Sequence, residues 1–228
     1  MNSKQVVFFD LDHTLWDYET NAHDTLSEVY QVFDLKRGWN SPELFIESFH
    51  EYNHQLWDLY NFGKIDRAFI REKRFVKILE DAKLSSVDGI EVSDFFISSC
   101  PQKSGLLPGA INILEYLATK YELAIITNGF TDTQSIKIKS SGLEHYFEKV
   151  VTSENANARK PSAEIFEYAM ALTNSSPENA VMIGDNLKTD IEGALAINMK
   201  AIWLTDSEVA SPKNCSKIKT LAELESLL

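Results

Sequence analysis

Two aspartates separated by one residue follow a short apolar run near the start of the chain. The run is Val6-Val7-Phe8-Phe9, and Asp10 and Asp12 come directly after it. A run of this length that ends in charge predicts a buried strand, and residues two apart face the same side at a strand end. Two carboxylates this close repel each other, so one holds a proton or a cation lies between them. By itself, the pair is explained equally well by a reactive site and by a solvated acidic turn.

Three more groups of polar residues follow predicted strands further along the chain. Thr127-Asn128-Gly129 follows the second predicted strand, Arg159-Lys160-Pro161 the third, and Asp185 with Asp190 the fourth. Each group alone is ordinary loop or helix-cap chemistry, since Asn-Gly marks turns and lysine is usually exposed. Parallel strands bring their carboxyl ends to one edge of a sheet, so the four groups are expected to converge. Convergence of all four by chance is improbable, which favours a functional site.

The elements that would position these groups alternate between strands and helices. Five short apolar runs predict strands at residues 5–9, 123–127, 149–152, 180–184 and 200–204. Helical apolar spacing separates the last four runs. The alternation predicts an α/β fold, a three-layer Rossmann-like parallel sheet with both faces covered.

Four local signals predict where helices begin and end in this part of the chain. Asp132 is expected to cap one helix and Gly142 to end it. Pro161 is expected in the first turn of the next helix. Thr220 with Glu223 forms the capping-box pattern that opens a C-terminal helix.

About 110 residues separate the first and second predicted strands, whereas a crossover needs only about a dozen. Apolar residues at helical spacing run through this stretch, and Asn40-Ser41-Pro42 and Asp66 are typical of helix starts. Residues 17–102 are therefore expected to form an inserted all-α domain, and residues 1–16 with 103–228 the core. The insertion directly follows the carboxyl end of the first strand, where open α/β sheets bind ligands, so we expect it to act as a cap.

Composition narrows the classes of protein that the chain can belong to. Of its 228 residues, 44% are hydrophobic and 25% charged, as in ordinary folded domains. The net charge of −12 disfavours nucleic-acid polymers and anionic membranes as partners. No apolar run approaches the roughly 18 residues of a spanning helix. Cys100 and Cys215 are the only cysteines, so we expect a reducing, cytoplasmic setting. An acidic chain can still bind a small molecule that carries negative charge, provided that the site supplies local positive charge or a metal.

Together the four groups resemble, in order, the four motifs of the haloacid dehalogenase superfamily of phosphohydrolases. The resemblance covers essentially the whole chain, with the insertion at the family's usual first position. It implies that Asp10 is the nucleophile that forms an aspartyl-phosphate. Asp12 would protonate the leaving alcohol and then activate water. It also implies that Thr127 and Asn128 hold phosphate oxygens, and that Lys160 neutralises the charge of nucleophile and phosphate.

The resemblance further implies a magnesium site. Asp10, Asp185 and the backbone carbonyl of Asp12 would hold Mg²⁺, with Asp190 as a supporting carboxylate. Oxygen ligands suit this ion, which binds through one or two carboxylates and substrate phosphate. Such an ion lets an anionic nucleophile approach an anionic phosphate.

The stretch from Phe8 to Tyr18 resembles most a bacterial branch of the superfamily in which pyrimidine 5′-nucleotidase activity is known. The resemblance implies a nucleoside 5′-monophosphate as substrate. Residues 16–102 hold 15 of the 25 aromatic residues, which either stack on a nucleobase or pack the core of the insertion. Three residues near the first strand end are candidate substrate contacts: His13, which stands where many relatives have glycine, Trp16 and Tyr18.

Several other functions stay open at this point. Sugar phosphates or phosphoglycolate are alternative substrates. A haloacid dehalogenase is disfavoured by Asp12, because dehalogenation needs only the nucleophile and water. A phosphomutase would move the phosphate within a sugar rather than release it. A non-catalytic binding module predicts a broken motif, and none is broken.

A separate pattern, His50-Glu51-Tyr52-Asn53-His54, matches the H-E-x-x-H motif of zinc proteases. Zinc would need a third ligand. Glu72 or Glu80 could serve, although no independent feature marks either residue. The histidines can equally flank the apolar face of an ordinary helix.

Overall fold

The computed structural model describes residues 5–228 and divides into two compact units. One comprises the chain up to Tyr18 together with Ser104–Leu228, and the other comprises Glu19–Lys103. The insertion expected at residues 17–102 differs from the second unit by two residues at its start and one at its end. Within the described residues, none of the helices combines the length and the apolar character that crossing a membrane requires.

The larger unit is built on a six-stranded sheet in which every neighbouring pair of strands is parallel. The strands are β1 (Val6–Phe9), β2 (Glu122–Thr127), β3 (Lys149–Thr152), β4 (Ala180–Gly184), β5 (Lys200–Leu204) and β6 (Cys215–Ile218). Their order in the sheet is β3-β2-β1-β4-β5-β6. The register places Phe9, the last residue of β1, beside Ile125 and Ile183 of the two neighbouring strands. The parallel α/β fold predicted from the sequence is confirmed, with one strand more than expected.

Helices cover both faces of this sheet, as its apolar strands require. Val6 and Phe8 project to one face, where they share a buried core with Ile165 and Phe166. Phe9 projects to the other face and contacts Phe147 edge-on, with ring centroids 6.3 Å apart. This unit contains α5 (Ala110–Ala118), α6 (Thr131–Ser140), α7 (Ala163–Thr173) and α8 (Glu192–Ala196), with a π-helical turn at Leu187–Ile191 and 3-10 turns at Pro177–Asn179 and Leu221–Ser226.

Two of the predicted helix ends are correct and two are shifted. Gly142 has a left-handed φ of 72° just after α6, and the Thr220–Glu223 capping box is present, although it opens a 3-10 turn. Asp132 is not the cap of α6, because the helix begins one residue earlier and places Asp132 in its first turn. Pro161 follows a cis peptide bond and lies two residues before α7 rather than in its first turn.

The second unit is all helical and encloses an aromatic core. Phe49 has its ring centroid 5.3 Å from that of Phe75 and 5.1 Å from that of Phe96. All three rings are buried, and the Arg74 guanidinium lies within 5.3 Å of each centroid. These rings therefore pack the core of this unit and offer no face to a nucleobase. The helices are α1 (Tyr18–Val32), α2 (Pro42–Asn61), α3 (Arg67–Asp81), capped by Asp66, and α4 (Gly89–Ser99), with 3-10 turns at Leu35–Arg37 and Cys100–Gln102.

Candidate active site

A buried lysine joins two carboxylates at the carboxyl edge of the sheet. The ammonium of Lys160 lies 2.7 Å from Asp10 Oδ1 and 2.8 Å from Asp190 Oδ1. It also donates to the carbonyl of Ile126 over 2.8 Å. The three side chains come from the loops after β3, β1 and β4, so the convergence predicted from the strand ends is present.

Asp185 completes a cluster of three carboxylates in this place. One oxygen from each of Asp10, Asp185 and Asp190 lies within 4.8 Å of the other two. Burial raises the pKa of Asp10 to about 8, although the Lys160 ammonium lowers it in part. Burial and the charge of Asp190 raise the pKa of Asp185 to about 7. One ammonium thus lies among three carboxylates, of which Asp10 and Asp190 are buried and Asp185 is half-buried. Three carboxylate oxygens in one place are a donor set that suits a divalent cation such as Mg²⁺.

The pKa of Lys160 itself is raised. Burial alone would lower the pKa of this ammonium, but the adjacent Asp10 and Asp190 carboxylates outweigh that effect. The lysine therefore stays charged in a place from which water is excluded, where an ion pair is stronger than at the surface.

Asp190 and Asp185 are oriented by groups that the sequence did not single out. Asp190 Oδ2 accepts the N–H of Asn186 over 3.0 Å. A side chain at Gly184 would overlap the Asp190 carboxylate, so glycine permits their close approach. Asp185 Oδ1 accepts the Thr14 hydroxyl over 3.2 Å, and its carbonyl accepts the Trp203 indole N–H over 2.7 Å. These partners are evident only in the folded structure, where the ends of the strands lie close together.

Thr127 and Asn128 lie beside this cluster with different surroundings. Thr127 Oγ1 accepts the N–H of Gly129 over 3.1 Å and the amide of Gln134 over 2.8 Å. The side chain of Asn128 binds the backbone of Lys160 at both ends: Lys160 N donates to Oδ1 over 2.8 Å, and Nδ2 donates to Lys160 O over 2.9 Å. Asn128 thus ties the loop after β2 to the lysine, a role not predicted from the sequence. Contact of either residue with phosphate stays a prediction.

The carboxylate of Asp12 lies outside the cluster and is held by α6. Lys137 Nζ is 2.5 Å from Oδ1, and Gln134 Nε2 donates to Oδ2 over 2.8 Å. Burial would raise the pKa of Asp12, but the Lys137 ammonium and the two hydrogen bonds hold it below its ordinary value. Gln134 and Lys137 are not predicted from the sequence, because both lie outside the four motifs. Their i, i+3 spacing places them on one face of α6 but does not indicate what that face contacts.

The three candidate substrate contacts differ in their exposure. Trp16 is 0% exposed, which disfavours stacking of its ring on a substrate, and a substrate contact at Trp16 stays a prediction. His13 and Tyr18 are partly exposed and their ring centroids lie 4.8 Å apart. The φ of His13 is 62°, a left-handed value that glycine adopts most easily.

The two histidines of the zinc-protease pattern each lie beside a carboxylate. His50 Nε2 lies 3.7 Å from Glu19, and His54 Nε2 lies 3.6 Å from Asp58. Among residues 5–228, a group of three potential ligands occurs only at Asp10, Asp185 and Asp190. The zinc hypothesis therefore lacks its third ligand in the described chain.

Known proteins resemble this chain over nearly its full length. Pyrimidine 5′-nucleotidase YjjG of Escherichia coli is 29% identical, across 97% of this chain and 96% of the relative. Human N-acylneuraminate-9-phosphatase is 27% identical, across 98% of this chain and 93% of the relative. The crystal structure of the HAD-hydrolase YfnB from Bacillus subtilis bound to magnesium has a TM-score of 0.88 at 25% identity, covering 100% of this chain and 99% of that one.

The family itself follows from a match to most of the chain. The model of haloacid dehalogenase-like hydrolases matches residues 4–198. This range contains β1 to β4 and every residue of the carboxylate cluster. With its parallel sheet and its four motifs in order, the chain belongs to the haloacid dehalogenase-like hydrolases.

Proposed function

We propose that the protein is a Mg²⁺-dependent phosphomonoester hydrolase that acts through an aspartyl-phosphate. The observation that carries this proposal is the cluster of Asp10, Asp185 and Asp190 around one buried lysine, with Asp12 two residues beyond Asp10. A carboxylate nucleophile needs nearby positive charge to approach a phosphate dianion. A second carboxylate beside it supplies the proton transfers of ester hydrolysis.

Asp10 has the position of the nucleophile. One of its oxygens forms a bond to phosphorus while the bond from phosphorus to the ester oxygen breaks. Asp12, which takes up a proton when the negative charge of the phosphate enters the site, gives that proton to the departing oxygen and then takes a proton from the water that attacks phosphorus. The bond from Asp10 to phosphorus breaks in this second step, and phosphate is released. Covalent catalysis of this kind replaces one difficult displacement with two easier ones.

The remaining residues of the site hold charge and position. Lys160, fixed between Asp10 and Asp190, keeps an ammonium beside the nucleophile. Thr127 Oγ1 accepts both of the hydrogen bonds described for it, so its hydrogen is directed away from them, toward a phosphate oxygen in our proposal. Mg²⁺, held by Asp10, Asp185 and the carbonyl of Asp12, would supply the positive charge that the three carboxylates lack.

Magnesium binding is expected to weaken as the pH falls from about 8 to about 6. With the pKa of Asp10 near 8 and that of Asp185 near 7, both carboxyls hold protons at the lower pH, and the ion must displace them. Each displaced proton weakens the apparent affinity about tenfold per pH unit below the pKa. We expect the Kd for Mg²⁺, measured from Tm against MgCl₂ concentration, to rise at least about tenfold.

The stability of the metal-free protein should depend on pH in the opposite direction from its affinity for Mg²⁺. A carboxyl whose pKa is raised by folding binds more protons in the folded state, so the free energy of unfolding falls as the pH rises from about 4 through the raised value. Mg²⁺ should therefore increase Tm most at pH 8. The variant Asp185→Asn should lose most of this increase. A Mg²⁺ effect that is independent of pH, or intact in Asp185→Asn, would contradict the proposed site.

We also propose a pyrimidine nucleoside 5′-monophosphate as the substrate. The similarity to YjjG supports this choice, whereas the rings of Phe49, Phe75 and Phe96 do not, because they pack the core of their own unit. We expect kcat/KM for UMP, dUMP and TMP to exceed that for phosphoglycolate, glucose 6-phosphate and N-acylneuraminate 9-phosphate by about tenfold, or about 1.4 kcal/mol.

Initial rates of phosphate release with Mg²⁺ across this panel provide the measurement. A higher kcat/KM for a sugar phosphate than for every nucleotide would contradict the proposed nucleotide substrate. The proposed phosphatase chemistry would still stand. Release of halide from a 2-haloacid, without hydrolysis of any phosphate, would instead favour the dehalogenase alternative.

A further inference from the structure

Asp12 is held by two side chains of α6 that lie outside the four motifs. Lys137 Nζ binds one carboxylate oxygen at 2.5 Å, and Gln134 Nε2 binds the other at 2.8 Å. Residues three apart on a helix share a face, and this face of α6 is turned toward the loop after β1. The carboxylate is thereby fixed at both oxygens, which leaves it little rotational freedom.

The two side chains that bind Asp12, those of Lys137 and Gln134, are themselves held in place by further contacts. The Lys137 ammonium lies 4.5 Å from the centroid of the Trp16 ring, a cation–π contact. Gln134 is 0% exposed, and its Nε2 donates to Thr127 as well as to Asp12. A Cβ at Gly129 would overlap the Gln134 amide, so glycine after Asn128 provides space rather than a left-handed turn.

The polar nature of this contact argues for a role beyond packing. The Gln134 Oε1 atom is buried without a hydrogen-bond partner in the described chain, which costs stability. Lys137 is 8% exposed, and burying its ammonium also carries a desolvation penalty. Apolar side chains at these two positions would join α6 to the sheet without either cost. The arrangement therefore favours control of the Asp12 carboxylate.

We propose that Gln134 and Lys137 are positioning residues that hold Asp12 for its proton transfers in phosphomonoester hydrolysis. The inference rests on the proposed function. In the first step the leaving oxygen takes the proton of Asp12 as its bond to phosphorus breaks. In the second step Asp12 recovers a proton from the attacking water. Neither Gln134 nor Lys137 gains or loses a proton; both fix where the exchange takes place.

The test compares two leaving groups in the Lys137→Met variant. UMP, or the best alkyl phosphate of the panel, needs a proton on its departing alkoxide. p-Nitrophenyl phosphate releases a stable anion and does not. Because kcat/KM reports only the steps through the first irreversible bond cleavage, it isolates the first proton transfer. We expect kcat/KM to fall about 100-fold for the alkyl ester and less than about threefold for p-nitrophenyl phosphate.

Three further variants separate positioning from folding. Lys139→Met removes an exposed lysine of the same helix and should leave both rates unchanged. Lys137→Arg retains the cation and should recover the alkyl ester to within about tenfold of the wild type. Gln134→Met removes the other hydrogen bond and should again lower kcat/KM for the alkyl ester but not for p-nitrophenyl phosphate. This variant provides an independent measurement if Lys137→Met does not fold.

Two outcomes would overturn the inference, and they are distinguishable. Equal losses for both esters in Lys137→Met and Gln134→Met would make the contact merely structural, while the phosphatase function would stand. Absence of hydrolysis of either ester by the wild-type protein with Mg²⁺ would reject the proposed function and the inference with it.

Discussion

Phosphatase activity is expected to disappear when Asp10 is replaced by asparagine. The amide cannot attack phosphorus, and it removes the carboxylate that Lys160 contacts at 2.7 Å. Loss of a covalent nucleophile reduces kcat by roughly five to six orders of magnitude. Initial rates with the best ester of the panel, at saturating Mg²⁺, provide the measurement.

The Asp10→Asn variant should remain folded, which makes the loss of activity interpretable. Lys160 keeps its contacts with Asp190 and with the carbonyl of Ile126. The substitution also removes one of three carboxylates that lie within 4.8 Å of one another, so repulsion within the cluster decreases. We therefore expect a metal-free Tm no lower than that of the wild type at pH 8.

The matched control for this experiment is Asp206→Asn, the same substitution at an exposed position after β5. It should leave both kcat and Tm unchanged. Substantial turnover in Asp10→Asn, in a preparation shown by mass spectrometry to contain no deamidated protein, would remove Asp10 as the nucleophile.

The sheet is largely predictable from the sequence because its central strands are short, fully apolar runs. β1 and β4 are buried along their whole length, so their composition alone separates them from helices and loops. The strand β6 is not predicted from the sequence, because few of its residues are apolar. Its sequence, Cys-Ser-Lys-Ile, buries only Ile218, and four residues with one buried side chain give too weak a pattern.

The carboxylate cluster follows from the same logic, whereas the surroundings of Asp12 do not. Asp10, Lys160 and Asp185 each come directly after a strand or its loop, so parallel topology brings them together. Gln134 and Lys137 lie inside a helix, 122 and 125 residues from Asp12. Whether their face turns toward β1 depends on the packing of α6, which a local pattern does not specify.

The same packing explains why the ring of Trp16 is buried. A ring near the end of β1 was expected to face a substrate. The backbone of Trp16 instead bridges to Asp12 and to Leu106, and its ring lies beneath the Lys137 ammonium. Proximity to a site in the sequence does not distinguish a ring that contacts the substrate from one that supports a charged neighbour.

Asp12→Asn is expected to reduce kcat for an alkyl phosphate by about 10² to 10⁴-fold, because both proton transfers are lost. Binding of Mg²⁺ should change little. The carboxylate of Asp12 is bound to Gln134 and Lys137 and does not belong to the carboxylate cluster. The increase of Tm with MgCl₂ should therefore stay close to that of the wild type, whereas Asp185→Asn should lose it. Loss of Mg²⁺ affinity as the main effect of Asp12→Asn would contradict the assigned role.

The leaving group makes this prediction sharper. p-Nitrophenyl phosphate transfers its phosphoryl group to Asp10 without an acid, but hydrolysis of the aspartyl-phosphate still needs a base to activate water. In Asp12→Asn the first step should therefore outpace the second. Stopped-flow absorbance should show a burst of p-nitrophenolate close to one equivalent per enzyme, followed by slow turnover, and acid-quenched protein should carry the added mass of one phosphoryl group. Slow, linear release from the start, with no covalent adduct, would mean that Asp12 is needed for the first step even when the leaving group needs no proton.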